Sequence, residues 1–203
     1  MTKVDLKAQL KHLYQPSATS VGVVDVPAMM VLAIDGRGDP NTAPAYKQAV
    51  EALFAVSYAL KFLLKNGPRA IDYAVMPLEG LWWTADGAPF SPDYKEGLCW
   101  TAMIVQPDGV TPAFVEEARR RVAAKKGEAA LADLRYASWH EGLVAQIMHV
   151  GRYDDEGPAL AKIHAFIAQH GHTPQGKHHE IYLGDPARTA PERLRTILRQ
   201  PIA

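Results

Sequence analysis

A chain of 203 residues with 48% hydrophobic composition can bury a full core without metal or disulfide support, and its single cysteine, Cys99, excludes an internal bridge and points to a reducing compartment. Twenty-two basic residues balance 22 acidic ones, so no global field gathers a phosphate backbone and no direct nucleic-acid binding is expected. The charged start, Met1 to Lys7, lacks a signal-peptide core and no later apolar run reaches membrane-spanning length; the expectation is a cytoplasmic protein that stays out of the membrane.

In chain order, a short polar lead-in ends near Pro16. Val21 to Ile34 is apolar and β-branched, interrupted by Asp25 and Pro27, and reads as one strand or a bulged pair. Gly36-Arg37-Gly38-Asp39-Pro40-Asn41 is turn chemistry. Ala43-Pro44 then opens an amphipathic helix through Leu53, Val56, Leu60 and Leu64 that Asn66-Gly67-Pro68 stops. Ile71 to Trp83 and Leu98 to Gln106 read as a hairpin joined by the loop Asp86 to Gly97. Thr111-Pro112 begins a second helix ended by Gly127, whose Arg119-Arg120-Arg121 cluster follows Glu116-Glu117 at the spacing of a salt-bridged, solvated face. Leu134 to Trp139 and Leu143 to Val150 are strand-like around Glu141-Gly142. Pro158 opens a third helix to about Gln169, and His178 to Leu183 and Thr196 to Gln200 close the chain as strands.

The same order of elements occurs twice. Ile34-Asp35-Gly36-Arg37-Gly38-Asp39 parallels His149-Val150-Gly151-Arg152-Tyr153-Asp154, and Val105-Gln106-Pro107 parallels Arg199-Gln200-Pro201. The reading is an α+β fold, a tandem β-α-β-β duplication about a pseudo-twofold axis, with half one at about 20–107, a connecting inserted helix at about 111–127 and half two at about 133–203. Two small sheets would sit side by side, each with a helix on one face, and the uncovered faces would form a central ligand cleft.

In His178-His179-Glu180-Ile181-Tyr182-Leu183, strand alternation sends Ile181 and Leu183 to one face, expected to meet the helix, and Glu180 and Tyr182 to the other, expected to meet the cleft. There a carboxylate can anchor a cation or act as a base on water. Trp82, Trp83, Trp100 and Trp139 are candidate rigid walls, although consecutive tryptophans cannot both face one side of a regular strand. His149 and Tyr153 are candidate polar walls. The five histidines from His164 to His179 fit no tight metal spacing, so no metal is expected, and no cofactor motif stands in a strand-to-helix context.

The sequence resembles the GyrI-like small-molecule-binding proteins over nearly its whole length, in the stand-alone branch. The resemblance rests on Val26-Pro27-Ala28-Met29, Ile34 to Asn41, Tyr73 to Trp83, Gln146 to Tyr153 and His178 to Leu183. It implies a cleft holding a glutamate, matched here by Glu180, and a small-molecule ligand. Relatives fused to DNA-binding domains sense lipophilic, often cationic drugs, whereas this chain shows no N-terminal helix-turn-helix. Some stand-alone relatives resemble hydrolases of cyclopropane-bearing alkylators, which implies ring opening by a Glu180-activated water, with Tyr182, His149 or Tyr153 donating to the oxygen that gains charge. The alternatives are a non-catalytic module that sequesters or senses such compounds, and a protein-interaction role such as gyrase inhibition.

Overall fold

The computed structural model describes residues 2–68, 70–87 and 97–203. The predicted loop Asp86 to Gly97 therefore lies mostly outside the described residues. β1 (Thr2–Val4), α1 (Leu6–Gln9) and α2 (Lys11–Tyr14) come first, so the expected polar lead-in is structured, and it contributes buried Leu13 and Tyr14 to the core. Next come β2 (Gly22–Val26), β3 (Met29–Arg37), α3 (Pro44–Asn66), β4 (Ile71–Tyr73), β5 (Leu78–Thr84), β6 (Leu98–Val105) and α4 (Pro112–Lys126). The second half holds β7 (Arg135–Trp139), β8 (Gly142–Val150), α5 (Gly157–Gln169), β9 (His178–Tyr182) and β10 (Arg195–Pro201).

The helix boundaries follow from local chemistry. Pro44, Pro112 and Pro158 sit in first turns, where a missing N–H costs nothing. The Thr111 hydroxyl accepts from the Phe114 N–H, and Gly127 ends α4 with φ 86°, a left-handed position suited to glycine. On α4, Arg120 and Arg121 both reach Glu117, as the spacing predicts. Among the described residues no helix is long and apolar enough to cross a membrane.

The expected pair of sheets is one antiparallel sheet in the order β2-β8-β10-β9-β5-β6-β3-β7, because β5 and β9 pair directly. This order reads identically from either end once halves are exchanged. The register agrees with the repeats seen in the sequence: Ile34 lies opposite Ala102 in one half, and its counterpart His149 lies opposite Thr196 in the other. The pseudo-twofold axis passes through the Glu79–Ile181 pair at the centre of the sheet.

Val21 to Ile34 is not one strand. Pro27 interrupts the ladder, and the two pieces part: β2 pairs with β8 of the second half, whereas β3 lies between β6 and β7. Likewise Ile71 to Trp83 divides at Met76-Pro77, with β4 pairing β1 in parallel and β5 entering the main sheet. Val26 and Met29 are three residues apart, a reach of about 11 Å. In a flat sheet the first and seventh strands would be about 29 Å apart. The sheet must therefore curl until its ends approach.

The direction of curl follows from Glu141. It stands in the link between β7 and β8, yet it touches His179 and Arg199 on the central strands, so the His179 face is concave. The opposite, convex face carries α3 over the first half and α5 over the second; Ile163 and Ile167 of α5 pack on Ala145, Ile147 and Leu198. Trp100 on that convex face needs a glycine beneath it. A Cβ on Gly36 would lie 2.1 Å from the indole Cζ2 of Trp100. Gly36→Ala is expected to cost about 1–3 kcal/mol in urea unfolding, as for other overpacked positions. Gly22→Ala, with nothing within 4 Å of its Cβ, should change stability by less than about 0.5 kcal/mol.

Candidate functional site

Alternation along β9 decides what reaches each face. His178, Glu180 and Tyr182 point to the convex side, and His179 and Ile181 point to the concave side. From the sequence, the Ile181 face is the one expected to meet the helices, with Glu180 on a bare one. The structure reverses that: Glu180 shares its face with α3 and α5 and lies between them. Ile181 points instead to the concave side, where the N-terminal segment crosses the sheet. There His12 and Leu13 offer their carbonyls to Gln146 and Arg199 at 2.9 and 2.7 Å.

Glu180 is 8% exposed. Its Oε2 accepts a 2.6 Å hydrogen bond from the Tyr182 hydroxyl, and its Oε1 lies 3.3 Å from His178 Nε2. The Trp82 indole N–H donates to the Tyr182 oxygen at 3.2 Å, forming a relay from Trp82 through Tyr182 to the carboxylate. Burial, and then the charge of Glu180, raise the Tyr182 pKa well above the ordinary phenol value, so its hydroxyl keeps its proton and goes on donating. Gly80 is the cross-strand neighbour of Glu180, so no side chain blocks the carboxylate from that strand. The Trp82 indole occupies the space instead, within 2.8 Å of where a Gly80 Cβ would be.

Tyr46, in the first turns of α3, completes the aromatic wall. Its ring centroid is 5.6 Å from Trp82 and 5.0 Å from Trp100, the latter edge-on. Tyr153 meets Tyr182 edge-on at 5.5 Å. Burial raises the Tyr46 and Tyr153 pKa values, with Glu180 contributing to both, so these tyrosines are neutral walls with hydroxyl donors. His149 lies on the same face at the end of β8, where its Nε2 pairs with the Arg152 carbonyl at 2.9 Å.

The four tryptophans divide between the faces. Trp82 and Trp100 are cross-strand partners on the convex face. Trp83 and Trp139 lie on the concave face, placed there by alternation: the Lys177 ammonium sits 3.2 Å above the Trp83 ring, and Trp139 meets His179 edge-on at 5.2 Å. Trp139 also lines a groove of about 460 Å³ with Asp35, Arg135 and Lys177, on the side of the sheet away from Glu180.

Tyr46, His178 and Glu156 escaped the sequence reading as site residues. Glu156, 3% exposed, follows the turn Tyr153–Asp155 directly before α5. Burial, and then the charge of Glu180, push its pKa up to about 9, so it carries a proton at neutral pH. An acidic residue directly before a proline-opened helix, after a strand that ends in the repeat motif, was the available signal for it.

The concave face holds a second polar group, which no sequence pattern announced. Buried His179 lies 2.8 Å from Glu141 and 3.1 Å from Glu79, and buried Arg199 reaches Gln146 at 2.9 Å and Glu141 at 3.3 Å. Tyr14 donates to Glu79 at 2.7 Å. Every member has a partner, and the group sits beneath the pseudo-twofold axis as a structural core.

Comparison with known proteins agrees with this architecture. The family model of the GyrI-like small-molecule-binding domain matches residues 19–203. An uncharacterised conserved protein from Listeria innocua is 33% identical, with 98% of this chain and 100% of that chain covered and a TM-score of 0.90. A hydrolase from Listeria innocua is also 33% identical over 100% of both chains, with a TM-score of 0.88. The EcmrR C-terminal domain, at 10% identity over 91% of this chain and 97% of that one with a TM-score of 0.54, shares the fold alone. No curated protein matches the sequence. By the extent of the family match and the identity to full-length relatives, the chain belongs to the GyrI-like small-molecule-binding family.

Proposed function

We propose that the convex face binds a flat, lipophilic electrophile beside Glu180, between α3 and α5, and hydrolyses it, with Glu180 activating the attacking water, in the manner of a detoxifying hydrolase. One observation carries this reading: a carboxylate 8% exposed, held from one side by Tyr182 and enclosed by Trp82 and Tyr46. A carboxylate held by a hydrogen bond at the edge of an aromatic wall can take a proton from water, and indole and phenol faces suit a planar apolar ligand. The hydrolase from Listeria innocua, similar along its entire length, supports a catalytic use of the fold.

The substrate class is a cyclopropane conjugated to a carbonyl. Water oxygen bonds to a ring methylene, Glu180 takes the water proton, and the ring C–C bond breaks with its electron pair moving to the carbonyl oxygen. That oxygen then takes up a proton. The reaction is tested by incubating the protein with a cyclopropane-bearing alkylator in H₂¹⁸O. The expected product is one water heavier, with a single ¹⁸O on the former ring carbon, formed faster than without protein. Unchanged alkylator that nevertheless quenches Trp82 and Trp100 fluorescence would mark a binding module that sequesters the compound.

A further inference from the structure

The proposed ring opening leaves an oxygen that needs a proton, and two of the donors near Glu180, Tyr182 and His149, already have partners. The Tyr182 hydroxyl donates to the Glu180 carboxylate at 2.6 Å, and His149 Nε2 pairs with the Arg152 carbonyl at 2.9 Å. Glu156 is different. The residue is 3% exposed, and its Oε1 has no hydrogen-bond partner among the described residues. A buried carboxyl oxygen left without a partner is costly, and in a native fold it calls for a partner such as water or a ligand.

We propose that Glu156 is the proton donor of the site, delivering its carboxyl proton to the substrate oxygen that gains charge while Glu180 takes the proton of the attacking water. The assignment rests on the hydrolytic reading of the same site. Groups from several elements surround this carboxyl: Glu180 and Tyr182 on β9, Thr196 on β10, and Tyr153 and Asp154 on its own turn. Tyr46 on α3 faces Glu180. His178 stands beside Glu180, 3.3 Å from its Oε1, and no Lys or Arg is among the groups that act on Glu156, so burial and the charge of Glu180 keep the proton on Glu156. The two transfers leave the pair with its proton on Glu180 in place of Glu156, and one proton moving back resets the site without net exchange with solvent.

The burial of Glu156 and the charge of Glu180 set its pKa at about 9, and ionisation above that value removes the donor, so turnover should decline on the alkaline side. The test measures ring opening of a cyclopropane-bearing alkylator by wild type, Glu156→Gln and Glu156→Asp from pH 6 to about 10, a range that brackets that value. In Glu156→Gln, kcat should fall about 10²-fold or more with KM unchanged, and the alkaline decline should vanish. Glu156→Asp should recover part of kcat and retain the decline. Carboxyl ¹³C titration of glutamate-labelled protein gives a readout independent of turnover: one resonance should titrate near pH 9 in wild type and be missing from Glu156→Gln. Equal kcat in wild type and Glu156→Gln, or no carboxyl titrating above pH 7, overturns this proposal alone. Absence of ring opening by wild type overturns the hydrolytic reading itself.

Discussion

Glu180→Gln is expected to slow ring opening by at least about 10²-fold while binding of a non-reactive analogue, followed by tryptophan fluorescence, stays within about threefold of wild type. The substitution is close to isosteric. The glutamine side-chain oxygen can still accept from Tyr182, so the relay from Trp82 keeps its geometry, and the aromatic wall formed with Tyr46 is untouched. What disappears is the basic oxygen proposed to take the water proton. Loss of turnover with binding retained separates a base from a mere contact. Ring opening by the glutamine variant within tenfold of wild type would dismiss Glu180 as the base.

The largest effect on stability belongs to the other side of the sheet. Arg199→Ala should lower stability by about 3–5 kcal/mol, read from urea midpoints, because truncating one partner of a buried ion pair strands the other. Arg199 is fully buried. Its loss would leave Gln146, Glu141 and the Leu13 carbonyl each short of a donor, and with Leu13 the anchorage of α2 on the concave face. A cost below about 1 kcal/mol would show that water enters this face freely.

The same group sets a pH window. Burial favours neutral His179, but the carboxylates of Glu141 and Glu79 outweigh it and raise the pKa above the ordinary 6.5. Its contribution is complete below 6.5 and lost as pH rises through the raised value. For Glu141, burial opposes ionisation, yet His179 and Arg199 hold its pKa below the ordinary 4.5, so its contribution is complete above 4.5 and lost as pH falls. The group stabilises most between these limits, and the alkaline decline should disappear in His179→Gln.

Much of the fold was legible because it depends on local rules. Proline-opened helices, the period of two along His178 to Tyr182, and matching turns at Gly36 and Gly151 are written in neighbouring residues. Alternation alone placed Glu180 with Tyr182 and parted Trp82 from Trp83. What escaped was decided by distant pairing. Nothing near Pro27 says that the strand before it joins β8, and Glu79, His179 and Arg199 each read locally as the polar side of a strand. Their enclosure depends on a curl that only the complete strand order produces. Glu156 escaped for the same reason, since its environment comes from β9 and β10, beyond its own helix.

The crossing of β2 and β7 to opposite halves ties the two repeats like interlocked fingers. Neither repeat is self-sufficient: cut between them, one would hold β2 with no ladder to join and leave β3 bare along the edge that β7 covers. Each repeat therefore acts as template for its sibling, and the face that carries Glu180 between α3 and α5 is complete only once both have been made and have clasped.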